Sequence, residues 1–110
     1  MKKSKNDYGY GWEKLYNAIR CLTGSGEQKA RIIGALLELS TLTIPEEKYL
    51  PDEIQKEFNE FWKEMTSVKA VGDEGTIRAT VNNMNATGIR GAIDKIIDFY
   101  DTVCRYMKHD

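Results

Sequence analysis

Residues 86–108 read ATGIRGAIDKIIDFYDTVCRYMK, and this stretch has the clearest periodicity in the 110-residue chain. Its apolar side chains recur at intervals of three and four residues, which is the spacing of one face of an α-helix. They are Ile89, Ile93, Ile96, Ile97, Tyr100, Val103, Cys104 and Met107. The stretch therefore predicts a long amphipathic helix, capped at its beginning by the side chain of Asn85 or Thr87.

Shorter stretches with the same spacing precede this helix. They predict helices over about residues 12–22 (or from residue 7), 26–42, 51–66 and 76–84. Strand-like alternation is nearly absent, and the chain contains only two prolines, Pro45 and Pro51. We therefore predict an all-α fold, with residues 1–110 forming one domain, a bundle of four to five helices. Residues 1–7 precede the pattern and are expected to form a flexible basic arm.

The ends of the first two helices have sequence signals of their own. Gly24 is suited to a left-handed cap that ends the first helix. Ser25 and Gln28 have the spacing of a capping box at the start of the second helix. That second helix contains the run Ile32–Leu39 and is apolar around most of its circumference. Such a helix is usually central in a bundle or buried between subunits, so we expect a homo-oligomer.

Charge and cysteine content restrict the class of protein. The chain has 16 basic and 17 acidic residues, a balance that argues against sequence-blind binding of nucleic acid. No apolar run approaches the ~18 residues of a membrane span, so no membrane association is expected. Cys21 and Cys104 fall on apolar helix stripes and are expected to be buried thiols in a reducing cytoplasm. A disulfide between them in an oxidising compartment stays an open alternative.

Residue types used in catalysis are scarce. The chain has one histidine, His109, and lacks a CxxC motif and any nucleophile–base arrangement recognisable by spacing. We therefore predict no catalytic residue, no metal site and no cofactor, although carboxylate chemistry alone stays possible.

Arg105 and His109 lie four residues apart near the end of the last predicted helix. This pair loosely resembles the Arg-x4–6-His motif of the HEPN ribonuclease superfamily, with a spacing shorter by one residue. The resemblance implies an all-helical, often dimeric fold whose paired motifs form a metal-independent site for RNA cleavage.

The segment 76–91 contains two arginines and no acidic residue, although acids are dense in the rest of the chain. Its polar side chains are of the types that recognise phosphates, base edges or acidic protein surfaces. The candidate ligand-binding residues here are Arg78, Thr80, Asn82, Asn83, Asn85 and Arg90. The alternative interpretation is a corner between two helices, in which the asparagines cap and turn the chain.

Glycines alternate with large aromatic residues in the stretch YGYGW at residues 8–12. Because glycine disfavours helix, Tyr8 and Tyr10 are expected to belong to an N-terminal arm. With Trp12 they are candidates for stacking on a base or filling a pocket of a partner. The alternative is that the rings cover the core of their own chain.

These observations lead to three functional hypotheses. The first is a non-enzymatic helical protein that occupies a protein partner as an adaptor or inhibitor, a class common among phage and mobile-element regulators. The second is an oligomeric binder of an anionic, nucleotide-like small ligand, held at a subunit boundary by the arginines, asparagines and aromatic rings. The third is the HEPN-like ribonuclease.

Overall fold

The computed structural model describes residues 8–44, 48–72 and 74–107. Within these ranges the chain forms five α-helices and no strand, so the predicted all-α bundle is confirmed. The helices are α1 (Tyr8–Leu22), α2 (Gln28–Leu39), α3 (Asp52–Met65), α4 (Gly75–Asn82) and α5 (Ala86–Tyr106), with a 3₁₀ turn (Ser40–Thr43) after α2. The predicted basic arm, residues 1–7, lies outside the described residues.

Helix α1 lies between α2 and α5 and runs antiparallel to both. The start of α1 contacts the end of α2, because the Tyr10 hydroxyl donates a hydrogen bond to Thr41, just beyond α2. It also contacts the end of α5, where the rings of Tyr8 and Tyr106 pack edge to face at 5.8 Å. The first and last described helices therefore form one side of the bundle together.

Helix α3 closes the core with aromatic side chains. The rings of Phe58 and Phe61 each pack edge to face against Phe99 of α5, with ring centroids 5.5 Å apart. All three rings are buried. Edge-to-face pairs of this kind add to the free energy gained by removing the rings from water.

Most of the apolar surface of α2 is buried within a single chain. Ile32, Leu36 and Leu39 are completely buried, while Leu37 is 51% exposed. The apolar circumference of this helix is therefore covered by α1, α4 and α5. Helix α2 therefore needs no second subunit to bury its apolar surface, and it gives no support to a homo-oligomer.

The predicted signals between α1 and α2 are wrong in detail. The left-handed residue is Gly26, with φ of 102°, and not Gly24. The capping box of Ser25 and Gln28 is absent, because Glu27 occupies the cap position without a side-chain cap. Instead the Arg31 guanidinium donates hydrogen bonds to the carbonyl oxygens of Leu22 and Gly26, at 2.8 and 3.1 Å. A long side chain thus satisfies carbonyls that a local cap would otherwise serve.

The predicted N-terminal arm is also wrong for its aromatic part, since α1 begins at Tyr8 and includes Tyr10. Gly11 is buried on the inner face of α1, where its α-carbon lies against the backbone of Tyr49. A Cβ at this position would overlap the Tyr49 carbonyl oxygen. Gly11 therefore allows a close approach of two segments, and this packing outweighs the helix-breaking tendency of glycine.

Candidate binding surface

A partly exposed cluster of aromatic rings lies between α1 and α5. Trp12 and Tyr16 are one helical turn apart on α1, and their rings stack with centroids 5.1 Å apart and planes 9° apart. The ring of Tyr100 on α5 approaches both, at 6.2 Å from Trp12 and 6.4 Å from Tyr16. Tyr16 is 36% exposed, while Trp12 and Tyr100 are half-buried.

Helix α5 extends this cluster with apolar side chains at helical spacing. Ile93, Ile97, Tyr100 and Cys104 follow one another at i, i+4, i+7 and i+11, which places them on one face of α5. Ile97 is 46% exposed. We call the surface formed by Trp12, Tyr16, Ile93, Ile97, Tyr100 and Cys104 the aromatic face. The sequence pattern places the four α5 residues of this face on one apolar stripe, because periodicity does not distinguish the centre of a stripe from its solvent-exposed edge.

Two polar interactions fix the rings of the aromatic face. The Arg20 guanidinium lies 5.9 Å from the centroid of the Tyr16 ring and donates a weak hydrogen bond to its hydroxyl at 3.5 Å. Partial burial, together with a hydrogen bond to Cys104, raises the pKa of the Tyr100 phenol above its ordinary value. The Tyr100 phenol is therefore neutral at physiological pH.

An acidic row borders the aromatic face on α5. Asp94, Asp98 and Asp101 are exposed and lie at i, i+4 and i+7. Asp101 forms an ion pair with Arg105 at 3.0 Å. Asp94 and Asp98 form no ion pair with any of the described residues. Two carboxylates one turn apart are thus available beside Ile97.

Tyr8 and Tyr10, two of the candidate stacking residues, pack onto their own chain. The ring of Tyr10 lies 4.4 Å from that of Tyr49, and its hydroxyl is 2.9 Å from the Thr41 hydroxyl. Tyr8 packs on Tyr106, whose hydroxyl donates to Glu53 at 2.6 Å. Both rings are half-buried and cover the end of the bundle, as the alternative interpretation of this stretch predicts.

Several candidate side chains of the segment 76–91 stabilise the backbone of the corner. Thr80 is 4% exposed, and its hydroxyl accepts a hydrogen bond from the Val68 amide at 3.0 Å. The Asn83 amide donates to the Ala79 carbonyl at 3.2 Å. Asn85 caps α5 by accepting from the Gly88 amide at 2.8 Å, which confirms the predicted cap. Each of these three side chains thus forms a hydrogen bond with the backbone of the corner, while Asn83 and Asn85 stay exposed.

The remaining candidates of the segment, Arg78, Asn82 and Arg90, are exposed. The Asn82 carbonyl oxygen accepts a hydrogen bond from the Lys29 ammonium group at 3.2 Å. Neither arginine forms an ion pair with the parts of the chain that the structure describes. Arg90 lines an open pocket of about 350 Å³ together with Gln28, Ala86 and Thr87.

The structure does not bring the arginines and the aromatic rings of the proposed nucleotide site together. Tyr8 lies beside Tyr106 at the end of α5, whereas Arg90 is in its first turns. Sixteen residues of helix separate Arg90 from Tyr106, a rise of about 24 Å. Within one chain, Arg90 and the Tyr8 ring are therefore at opposite ends of α5, and Trp12 packs on Tyr100, ten residues after Arg90.

Cys21 and Cys104 are both half-buried and unpaired. Burial, and to a smaller degree the nearby Glu38 carboxylate, raises the pKa of the Cys21 thiol. A raised thiol pKa lowers the thiolate fraction and hence the reactivity of this cysteine.

The remaining predictions concern chemistry and membranes. Among residues 8–44, 48–72 and 74–107, no group of three or more His, Cys, Asp or Glu side chains is arranged to hold a metal ion. His109 of the HEPN-like pair lies outside the described residues, and its predicted companion Arg105 pairs with Asp101. None of the described helices has the length and apolar character needed to cross a bilayer.

Comparison with known proteins yields no match to a family model, to a curated protein or to a solved structure.

Proposed function

We propose that this chain is a helical binding protein without catalytic chemistry of its own, which acts as an adaptor or inhibitor by occupying a protein partner. The observation that carries the proposal is the aromatic face between α1 and α5. Tyr, Trp and large aliphatic residues dominate the centres of protein interfaces. Here they are gathered on a partly exposed surface of two packed helices.

The rigidity of this face supports the proposal. Trp12, Tyr16 and Tyr100 hold one another by ring contacts on two helices that belong to the core. A partner that binds there need not order loose side chains, which is one of the main costs of association. The proposal includes a cytoplasmic location, and the two free cysteines, Cys21 and Cys104, are compatible with the reducing conditions found there.

The test is a comparative pull-down from a lysate of the native cells, with bound proteins identified by mass spectrometry. The bait carries Ile97→Ser or Tyr16→Ser, and Leu37→Ser is the matched control because Leu37 is equally exposed on α2. We expect wild type and Leu37→Ser to retain the same identified partner, and both variants of the aromatic face to lose it. Equal retention by all four proteins would assign binding to another surface.

A second candidate function is the binding of a nucleotide-like anion in the pocket of Arg90. The exposed and unpaired Arg90 side chain at an open pocket favours it. Because the tyrosines are at the other end of α5, this function requires the aromatic end of a second copy, and therefore a homo-oligomer. Thermal melts with mono-, di- and cyclic nucleotides test it, since saturating ligand raises stability by about 2.7 kcal/mol at a hundredfold excess over Kd. The same melts with Arg90→Gln are the control.

A further inference from the structure

We infer that the partner of the aromatic face presents an amphipathic helix whose apolar stripe is bordered, along one edge, by lysine or arginine. This inference rests on the proposed function and adds the chemistry of the partner. Two features of the surface carry it: the shape of the seam between α1 and α5, and the unequal charge of its two borders.

The shape of the seam favours a helix. Trp12 and Tyr16 come from α1, while Ile97 and Tyr100 come from the antiparallel α5, so the apolar side chains form a strip parallel to both helices. A third helix lying along such a strip inserts side chains at i, i+3, i+4 and i+7 between the two rows.

The border on α5 is acidic. Asp94 and Asp98 form no ion pair with a described residue, whereas Asp101 pairs with Arg105. Arg90 lies one turn before Asp94, so the row holds three aspartates and two arginines and has a net negative charge. Asp94 and Asp101 lie at i−3 and i+4 from Ile97, so the row runs directly beside the most exposed apolar residue of the face.

The border on α1 has no net charge. Glu13 and Arg20 are its exposed charged residues, and Arg20 is held against the Tyr16 ring. A bound helix therefore meets a negative edge on α5 and a neutral edge on α1. The complementary helix carries cations on the edge that faces Asp94 and Asp98, spaced one turn apart, and is uncharged on the other edge.

The same charges argue against a second copy of this chain as the occupant. A second aromatic face has the same three aspartates, with Arg90 and Arg105 as the cations of the row, so two copies that pair bring more carboxylates than cations together. Like charges that approach across an interface cost free energy and favour a different partner.

Two synthetic helical peptides test the inference. Each has about 20 residues, because shorter isolated helices are only marginally stable in water. They share one leucine stripe and differ only along one edge, which carries lysine in the first peptide and glutamate in the second. Fluorescence anisotropy with the full chain measures both affinities. We expect the lysine peptide to bind about fivefold to tenfold more tightly, the effect of two exposed ion pairs, and the difference to shrink with added salt.

Variants of two acidic pairs test which residues cause the preference for the lysine peptide. The double variant Asp94→Asn, Asp98→Asn is expected to bind the two peptides with equal affinity. Ile97→Ser is expected to lower the affinity for both peptides. Glu60→Gln with Glu64→Gln is the matched control, because these acids are also exposed and one turn apart but lie on α3. The control removes the same charge from the protein and is expected to keep the preference.

Four outcomes overturn the inference. They are equal binding of the two peptides, absence of binding by both, a preference that survives in the Asp94 and Asp98 variant, and a dimer in light scattering that Ile97→Ser dissociates. If the peptides bind equally but both require Ile97, the docking surface of the proposed function stands and only the basic character of the partner fails.

Discussion

The α-carbon of Gly11 on α1 lies against the backbone carbonyl of Tyr49, in the segment that leads into α3. This contact brings the segment onto the inner face of α1 and seats the Tyr49 ring against Tyr10. No side chain fits between the two backbones, so the contact depends on the identity of residue 11.

Gly11→Ala is therefore expected to destabilise the protein, although alanine is the better helix former. Overpacking a buried site costs about 1–3 kcal/mol, which exceeds the gain in helix propensity. Urea unfolding followed by circular dichroism measures the change. Gly91→Ala in α5 is the control, because a Cβ there meets no atom within 4 Å. It is expected to raise stability by about 0.5–1 kcal/mol, and a loss in both variants would show that the Tyr49 contact is not the cause.

Thr80→Val is expected to lower stability by about 1 kcal/mol, because the half-buried Val68 amide then loses its acceptor. Valine has nearly the shape of threonine, so packing changes little. Thr76→Val, at an exposed position of the same helix, is the control and is expected to change stability by about 0.5 kcal/mol or less. Equal effects of the two substitutions on the urea midpoint would contradict a specific role of the Thr80 hydroxyl.

Asn85→Ala removes the side-chain cap of α5 and is expected to cost about 1 kcal/mol. Asn85→Asp keeps an acceptor for the Gly88 amide and is expected to retain most of the stability. Thermal melts of the two variants separate loss of the cap from loss of the asparagine itself. An alanine variant as stable as the aspartate variant would exclude the cap as a source of stability.

The raised pKa of Tyr100 predicts a loss of stability at alkaline pH. Its folded-state pKa is above the ordinary value of 10.0, chiefly through burial, so the folded state favours the neutral phenol. The stability that comes from this preference for the neutral phenol is fully present below pH 10, and it is lost as the pH rises through the folded-state pKa of Tyr100. Urea midpoints at pH 8 and pH 11 measure the loss. Tyr100→Phe cannot ionise and is expected to lose less stability over this interval, and an equal loss would assign the alkaline effect to other groups.

The helical class and four of the helix positions follow from local pattern, because each helix buries one apolar stripe whose period is visible in the sequence. The cap at Asn85 can also be predicted from local sequence, because its hydrogen bond joins residues only three positions apart. The sequence leaves the start of α1 open between residues 7 and 12, because Gly9 and Gly11 oppose helix locally while the contact that compensates comes from Tyr49, 38 positions away from Gly11.

The candidate surface was harder to predict than the fold. Tyr16 and Ile97 belong to apolar stripes by spacing, and only the packing of α1 against α5 shows that they are at its solvent-exposed edge. In the segment 76–91, residue type suggested a ligand site. The structure instead uses Thr80, Asn83 and Asn85 to satisfy backbone groups, a role that the same residue types fill in turns.

The antiparallel packing of α1 against α5 has a consequence for synthesis of the protein. The helix that packs on Trp12 is the last of the five described helices to leave the ribosome, so α1 and α2 emerge as a hairpin with one apolar side open to water. Cooperative closure of the bundle waits for α5, and until then the nascent chain exposes surface that chaperones recognise.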